Sequence, residues 1–355
     1  MRRRSRWPAK PTAQWFSWTN FFLGIDWCIK KAQRLGLTPL RRWAVKRAVA
    51  WMRDRARDGE SDGIGAIFPP IVYHAIVLKA LGVPAGDPEM QWVMGQLDDL
   101  SIEENGELRL QPCKSPVWDT ALSLIGVADA GEPAGSDEVG AAVRWLLDRE
   151  VRRSGDWAKN LPGVEPGGWF FEYRNAHYPD VDDTAMVLIA LARCGHHTRA
   201  AALPAVHRAL NWLVAMQNTN GGWGAFDRNI ENEVLEKVPF ADHNAMLDPA
   251  CPDITARVLE ALSHYGYRVG QEPVDRAVRF VLGRQEETGA WFGRWGVNYV
   301  YGTWQVLVGL AAVGFDMSLP AARRAVRWLK DVQNADGGWG ESCRSYDDPS
   351  QAGVG

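Results

Sequence analysis

An all-α fold, assembled as an array of helical repeats, is what this sequence predicts. Three observations carry the reading: tryptophan recurs in a fixed frame, apolar residues fall at helical spacing and stop at glycine, and strand alternation is almost absent. The frame appears in "VRWLLDREVRRSGDW", ending at Trp157, "LNWLVAMQNTNGGW" at Trp223, "VRFVLGRQEETGAW" at Trp291 and "VRWLKDVQNADGGW" at Trp339. In the last three an aromatic (Trp212, Phe280, Trp328) stands five residues before a glutamine (Gln217, Gln285, Gln333), and a tryptophan follows six residues later. The first copy keeps Trp145 and Trp157 but carries Glu150 for the glutamine, a degenerate member. Intervals of roughly 50 to 70 residues leave room for a pair of helices in each repeat. A glutamine so placed can reach backbone groups orphaned at a neighbouring helix end while the tryptophan covers it, so the frame reads as a clasp between helices.

Taken in order, the chain opens with Arg2, Arg3, Arg4, Arg6 and Lys10, expected to form a solvated tail because no apolar run follows them as in a signal peptide. An aromatic stretch, "WFSWTNFFLGIDW", and a basic one from Arg41 to Arg47 come next. Pro69 and Pro70 in "GIGAIFPP" interrupt whatever precedes them. The polar stretch "LDDLSIEENGELRLQP" has no helical stripe and marks a boundary, dividing the chain into 1–100 and 101–355. Beyond it, "DDTAMVLIALARCG" and "YGTWQVLVGLAAVGF" are apolar helices closed by glycine.

A hydrophobic fraction of 46% predicts an ordered protein, and a net charge of −3 gives no broad attraction to nucleic acid. Five cysteines (Cys28, Cys113, Cys194, Cys251, Cys343), without CxxC pairing, are read as free thiols in a cytosolic setting. No uninterrupted apolar run approaches the roughly 18 residues of a membrane span.

Chemistry concentrates in "YPDVDDTAMV", where Asp180, Asp182 and Asp183 share one turn. Pro179 and Asp180 suit a helix start, with the other two carboxylates facing the positive end of the dipole. Three like charges so close also repel, so an enclosed site should retain at least one proton at neutral pH, and a protonated carboxyl in an apolar pocket is a general acid. Metal binding competes as a reading, but the DDxxD spacing, a phosphate loop and an HExxH pattern around His196 and His197 are all missing. Neither a metal nor a cofactor is expected.

"DVDDTA", "QNTNGGWGAFD", "WFGRWGVNYVYGTW" and "QNADGGWGESCRSYDDP" together resemble the squalene-hopene cyclases, bacterial class II terpene cyclases. The resemblance implies two α/α barrels of the terpene cyclase (α/α toroid) type, 1–100 being the C-terminal part of one and 101–355 most of the second. The family's chains are much longer, so a fragment lacking N- and C-terminal parts is expected. It implies cyclisation of squalene to hopene, with hopanol as a hydrated companion, by protonation of a terminal double bond and a carbocation cascade in hopanoid biosynthesis. By motif, Asp182 becomes the acid, Asp180 and Asp183 its supports, Asp253 and Arg257 its network, and Tyr301 a proton return. Trp118, Phe171, Phe226 and Trp295 would line the cavity, with Ile67, Phe68 and Tyr73 at its wall. Arg257 stands where the best-studied members have histidine, Phe226 replaces a tyrosine and Phe68 a glutamine. Squalene is the implied partner, and a homodimer is left open. The implied location is one leaflet of the bacterial inner membrane, on its cytoplasmic face, as a monotopic protein. Three other readings stand beside this one: a class II diterpene or sesquiterpene cyclase acting on a prenyl diphosphate, a protein prenyltransferase subunit, and a helical scaffold in which the triplet is only a cap.

Overall fold

A computed structural model describes residues 16–57, 61–64, 67–232, 234–239 and 246–355; the basic start from Arg2 to Lys10 lies outside them. Among the described residues, twelve α-helices and one two-stranded hairpin make up the main regular structure. The chain divides into two compact units, 1–57 with 230–249, and 58–229 with 250–355.

The smaller unit carries α1 (Trp18–Arg34) and α2 (Arg41–Arg57). Ser17 caps α1 by accepting the N–H of Asn20 at 3.1 Å. The aromatic stretch lies on this helix, where Trp18 meets Phe21 edge-on and stacks on Phe22, and Lys237 sits 5.0 Å from the centre of the Trp18 ring.

In the larger unit, α3 (Phe68–Ala80) pairs with α4 (Pro88–Asp98). Pro69 and Pro70 occupy the first turn of α3, where missing N–H groups cost nothing, so they begin a helix as well as ending what precedes. The stretch with no helical stripe is a hairpin, β1 (Ser101–Glu104) and β2 (Glu107–Leu110), with Ser101 opposite Leu110 and Glu104 opposite Glu107. Asn105 and Gly106, at φ 55° and 79°, form its two-residue turn, the left-handed pair that an Asn-Gly sequence favours.

Four helical hairpins follow. They pair α5 (Pro116–Asp129) with α6 (Asp137–Leu147), α7 (Val181–Arg193) with α8 (Leu203–Ala215), α9 (Pro252–His264) with α10 (Glu272–Leu282), and α11 (Tyr299–Ala312) with α12 (Pro320–Asp331). The first helix of each packs beside the first helix of the next, giving an inner row α5–α7–α9–α11. Burial follows from position: α7 and α9 are enclosed on nearly every side, whereas α8, α10 and α12 bury one stripe, and α10 and α12 turn charged residues outward. This is the α/α toroid arrangement.

The clasps work as the frame implies. Gln217 Nε2 donates to the carbonyls of Gly221 at 2.8 Å and Pro273 at 2.9 Å, the second lying in the first turn of α10. Gln285 repeats this with Gly289 at 2.8 Å and Ala321 at 2.9 Å. Each indole N–H returns to its own outer helix, Trp223 to the Leu213 carbonyl at 2.7 Å and Trp291 to Val281 at 2.8 Å. In the first copy the clasping residue is Trp169, not Trp157: its Nε1 donates to the Leu146 carbonyl at 2.7 Å, and Gly167 and Gly168 precede it as Gly221 and Gly222 precede Trp223. Nineteen residues separate Glu150 from Trp169 where six separate Gln217 from Trp223, and Trp157 lies within this longer span, packed edge-on against Trp212. Glu150 takes the glutamine's place by ionic means, accepting from Arg208 of α8 at 2.6 and 2.5 Å.

The inner row is held at close range by one contact in particular. A methyl group on Gly309 of α11 would lie 2.2 Å from the Ala256 carbonyl oxygen of α9. Gly309→Ala is therefore expected to force these helices apart at a cost of about 1–3 kcal/mol, read from the denaturant midpoint.

Candidate active site

A repeated hydrogen bond sets the geometry of the site. The backbone N–H of three clasp tryptophans donates to a threonine hydroxyl on the following inner helix: Trp169 to Thr184 at 3.0 Å, Trp223 to Thr255 at 3.0 Å, Trp291 to Thr303 at 2.9 Å. These threonines fix a common register at the starts of α7, α9 and α11. Two residues before each stand Asp182, Asp253 and Tyr301, and the same spacing from Thr120 in α5 gives Trp118. Successive repeats thus deliver one chemical group each to the same end of the inner row.

The three aspartates of the triplet have separate tasks. Asp180 is the N-cap of α7, its Oδ1 accepting the Asp183 N–H at 2.7 Å. Burial pushes its carboxyl up to about 7 even though the hydrogen bonds from Asp183 pull the other way. Burial also raises Asp183 well above its ordinary value, and the neighbouring Asp180 adds to the effect. Both are buried. Asp182 differs, because 17% of its side chain stays accessible.

Asp182 Oδ1 lies 2.8 Å from Arg257 Nε, buried and without an aligned hydrogen bond, so the guanidinium acts on it through charge more than through a directed N–H. Burial raises the Asp182 carboxyl, Arg257 lowers it and Asp253 raises it, with a net upward shift. Arg257, one turn into α9, is buried among partners. Its Nη2 donates to Tyr301 Oη at 2.6 Å and to Gln305 Oε1 at 3.1 Å, and its Cζ sits 4.9 Å from the centre of the Trp118 ring. Burial opposes its charge, but Asp182, Tyr301, Asp253 and Glu260 together hold its pKa above the ordinary value. Asp253 Oδ2 accepts two backbone N–H groups, from Arg294 and Trp295, each at 2.9 Å, which anchors the loop before α11.

The loops that follow each clasp tryptophan cross the starts of the inner helices. Phe171 O accepts the Val117 N–H at 3.3 Å and Ala225 O accepts that of Val181 at 2.8 Å. Phe171 consequently stands beside Trp118, ring centres 6.5 Å apart, and Phe226 meets Trp295 edge-on at 5.9 Å. A reachable carboxylic acid, a fixed cation against one of its oxygens and aromatic rings around them suit proton delivery to an electron-rich, uncharged group.

Residues 114–355 match the family model of the squalene-hopene cyclase C-terminal domain, and residues 1–106 that of the N-terminal domain. The chain belongs to the squalene-hopene cyclase family. It is 40% identical over 338 residues to the squalene–hopene cyclase of Zymomonas mobilis subsp. mobilis, covering 93% of this chain and 51% of that protein. It is likewise 40% identical over 336 residues to the squalene–hopene cyclase of Alicyclobacillus acidocaldarius subsp. acidocaldarius, covering 94% and 53%. Dammaradiene synthase of Dryopteris crassirhizoma is 37% identical over 357 residues, covering 95% and 50%. The chain spans about half the length of the curated relatives it matches.

Of the positions carried over from the squalene-hopene cyclases, Asp180, Asp182, Asp183, Asp253, Arg257, Tyr301 and Trp118 form one network, with Phe171, Trp295 and Phe226 attached through ring or loop contacts. Ile67, Phe68 and Tyr73 are not joined to that network; they stand at the start of α3, and Tyr73 is 53% exposed. Ile67 bridges to Cys113 and the Phe68 N–H donates to the Pro112 carbonyl at 2.7 Å. Gln305 and Glu260 also belong to the network, although neither lies in a motif that marks it in the sequence.

Beside Phe171, Glu172 lies buried and accepts from Asn175 Nδ2 at 3.3 Å. Burial pushes its carboxyl up to about 7 from 4.5. A raised carboxyl binds its proton more tightly in the folded chain, so its contribution to stability is full below pH ~4 and is lost as pH rises through ~7. Glu172→Gln is expected to stabilise the protein at pH 8 by up to about 3 kcal/mol and to change little near pH 4, measured by urea denaturation.

Proposed function

We propose that the protein cyclises squalene to hopene, with hopanol as a hydrated by-product, and that Asp182 supplies the initiating proton. The observation that carries this reading is Asp182 itself, the one member of the triplet left reachable while its Oδ1 is held against a buried arginine. With Oδ1 facing Arg257, Oδ2 is the oxygen that carries the proton. Transfer to the terminal double bond forms a C–H bond at the less substituted carbon and leaves a tertiary cation at the dimethyl carbon. Arg257, and through it Tyr301, stabilise the carboxylate that remains. Ring closures then move the charge along the chain past faces such as Phe171, Phe226 and Trp295, each worth about 0.5–2 kcal/mol to a desolvated cation. Loss of a proton, or capture of water, ends the cascade.

The same reading assigns residues 1–100 to one α/α barrel and 101–355 to the barrel that carries the acid, with Ile67, Phe68 and Tyr73 on a wall remote from the acid. It also places the protein on one leaflet of the bacterial inner membrane, at the cytoplasmic face, where an apolar substrate is concentrated; among the described residues no helix is long and apolar enough to cross. Purified protein from the complete reading frame is to be given squalene and geranylgeranyl diphosphate separately in detergent, with products identified by gas chromatography and mass spectrometry. Pentacyclic hydrocarbon from squalene supports the proposal. A bicyclic diphosphate from the second substrate, with squalene untouched, assigns the site to a prenyl diphosphate cyclase instead.

A further inference from the structure

We propose that Gln305 and Glu260 are positioning residues that clamp the Arg257 guanidinium against Asp182, an inference that rests on the reading of Asp182 as the acid. Arg257 and Glu260 lie three residues apart on α9 and therefore share a face. Tyr301 and Gln305 lie four apart on α11 and share the face packed against it. Gln305 is buried, and its amide is gripped at both ends: Oε1 accepts from Arg257 Nη2 at 3.1 Å, and Nε2 faces Glu260 Oε2 at 3.4 Å.

Charge dictates this orientation. Turning the amide over would set its NH2 against the guanidinium and its oxygen against the carboxylate, two repulsive contacts in place of two attractive ones. The carboxylate of Glu260 therefore fixes the amide, the amide oxygen fixes Nη2 together with Tyr301, and the guanidinium plane, supported on the Trp118 ring, leaves Nε facing Asp182. A guanidinium can donate from Nη2 to Tyr301 and Gln305 while its Nε edge keeps its charge against Asp182, which a single ammonium at the end of a flexible stem does not do. The interior of α11 reads "GTWQVLVGL", and a glutamine among those apolar residues has a structural reason in this clamp.

The titratable groups acting on the acid come from three helix starts: Asp180 and Asp183 from the cap and first turn of α7, Asp253 and Arg257 from α9, and Tyr301 from α11, while Glu260 of α9 acts on Arg257. Glu172 acts on the Asp180–Asp183 pair from the loop before α7, and α5 contributes the Trp118 ring. Loosening the one cation in this set weakens its pull on Asp182, so the carboxyl should titrate at higher pH and donate its proton less readily.

Two variants test this, Gln305→Leu, which removes both amide contacts at similar volume, and Gln305→Glu, which keeps the shape and adds a carboxylate competing for Arg257. Each is to be measured for squalene turnover and for the titration of the Asp182 carboxyl by difference infrared spectroscopy, assigned through Asp182→Asn. The proposal expects kcat lowered about 10- to 100-fold with KM within about 2-fold, and a carboxyl midpoint raised by about one pH unit or more, further in Gln305→Glu than in Gln305→Leu. An unmoved midpoint in both folded variants, or kcat within about 2-fold of wild type, overturns it. Wild type that leaves squalene unconverted overturns the functional reading alone, because the infrared midpoint still reports whether Gln305 governs Arg257.

Discussion

Asp182→Asn should abolish cyclisation while leaving the fold intact. The substitution replaces a carboxyl able to carry a transferable proton by an amide of the same shape, and Asp180, not Asp182, caps α7. A loss of about 100- to 10,000-fold in kcat matches what positioned acids contribute. Arg257 would lose its charged neighbour, yet it retains Tyr301, Gln305 and the Trp118 face, so the melting temperature should fall by only a few degrees. Circular dichroism with a product assay separates the two effects. Asp180→Asn offers a contrast, since asparagine caps helices nearly as well as aspartate; it should preserve the fold and spare more activity.

Arg257→Leu should produce the second largest effect. Removing the cation leaves the buried Oδ1 of Asp182 against a hydrocarbon, and a carboxyl deprived of an adjacent arginine rises by about 1–3 pH units. The acid is then present in its protonated form over a wider pH range but is weaker, so kcat is expected to fall by about 10- to 1,000-fold and the alkaline limb of its pH profile to move upward. Arg257→Lys should fall between, because it keeps the charge but not the fork that reaches Asp182, Tyr301 and Gln305 together. If Arg257→Leu left both the rate and the limb in place, the ion pair would be structural only.

Much of this architecture was legible because each repeat writes its own punctuation. Gln217, Gln285 and their tryptophans announced the clasps, and Pro179–Asp180 announced the start of α7. Other features carry a weaker or a competing signal. Trp169 was hidden by the long span after Glu150, which placed Trp157 nearer to the expected spacing; the Gly-Gly before Trp169 was the better marker. The stretch 101–110 reads as a polar boundary because it has no helical stripe, yet Asn105-Gly106 within it is a strong local turn signal for the hairpin. Within the site, the acidic triplet drew attention by its density, but Arg257 and Tyr301 entered only by family likeness, since a lone arginine or tyrosine on an apolar helix has no periodic signature. Gln305 and Glu260 entered only with the structure, because their meaning depends on α9 and α11 facing each other. The threonine register links all of these: Thr184, Thr255 and Thr303 bring residues from distant repeats to one end of the inner row, and no single repeat contains enough of the pattern to show it.

The central claim is that Asp182 gives a proton to a carbon–carbon double bond. Incubation of the wild-type protein with squalene in deuterium oxide tests it most directly, with the polycyclic product analysed by mass spectrometry and deuterium NMR. One deuterium on the ring carbon next to the gem-dimethyl carbon, and no product from Asp182→Asn under the same conditions, is the predicted result. Cyclic product without deuterium at that carbon, or equal product from the variant, would contradict it.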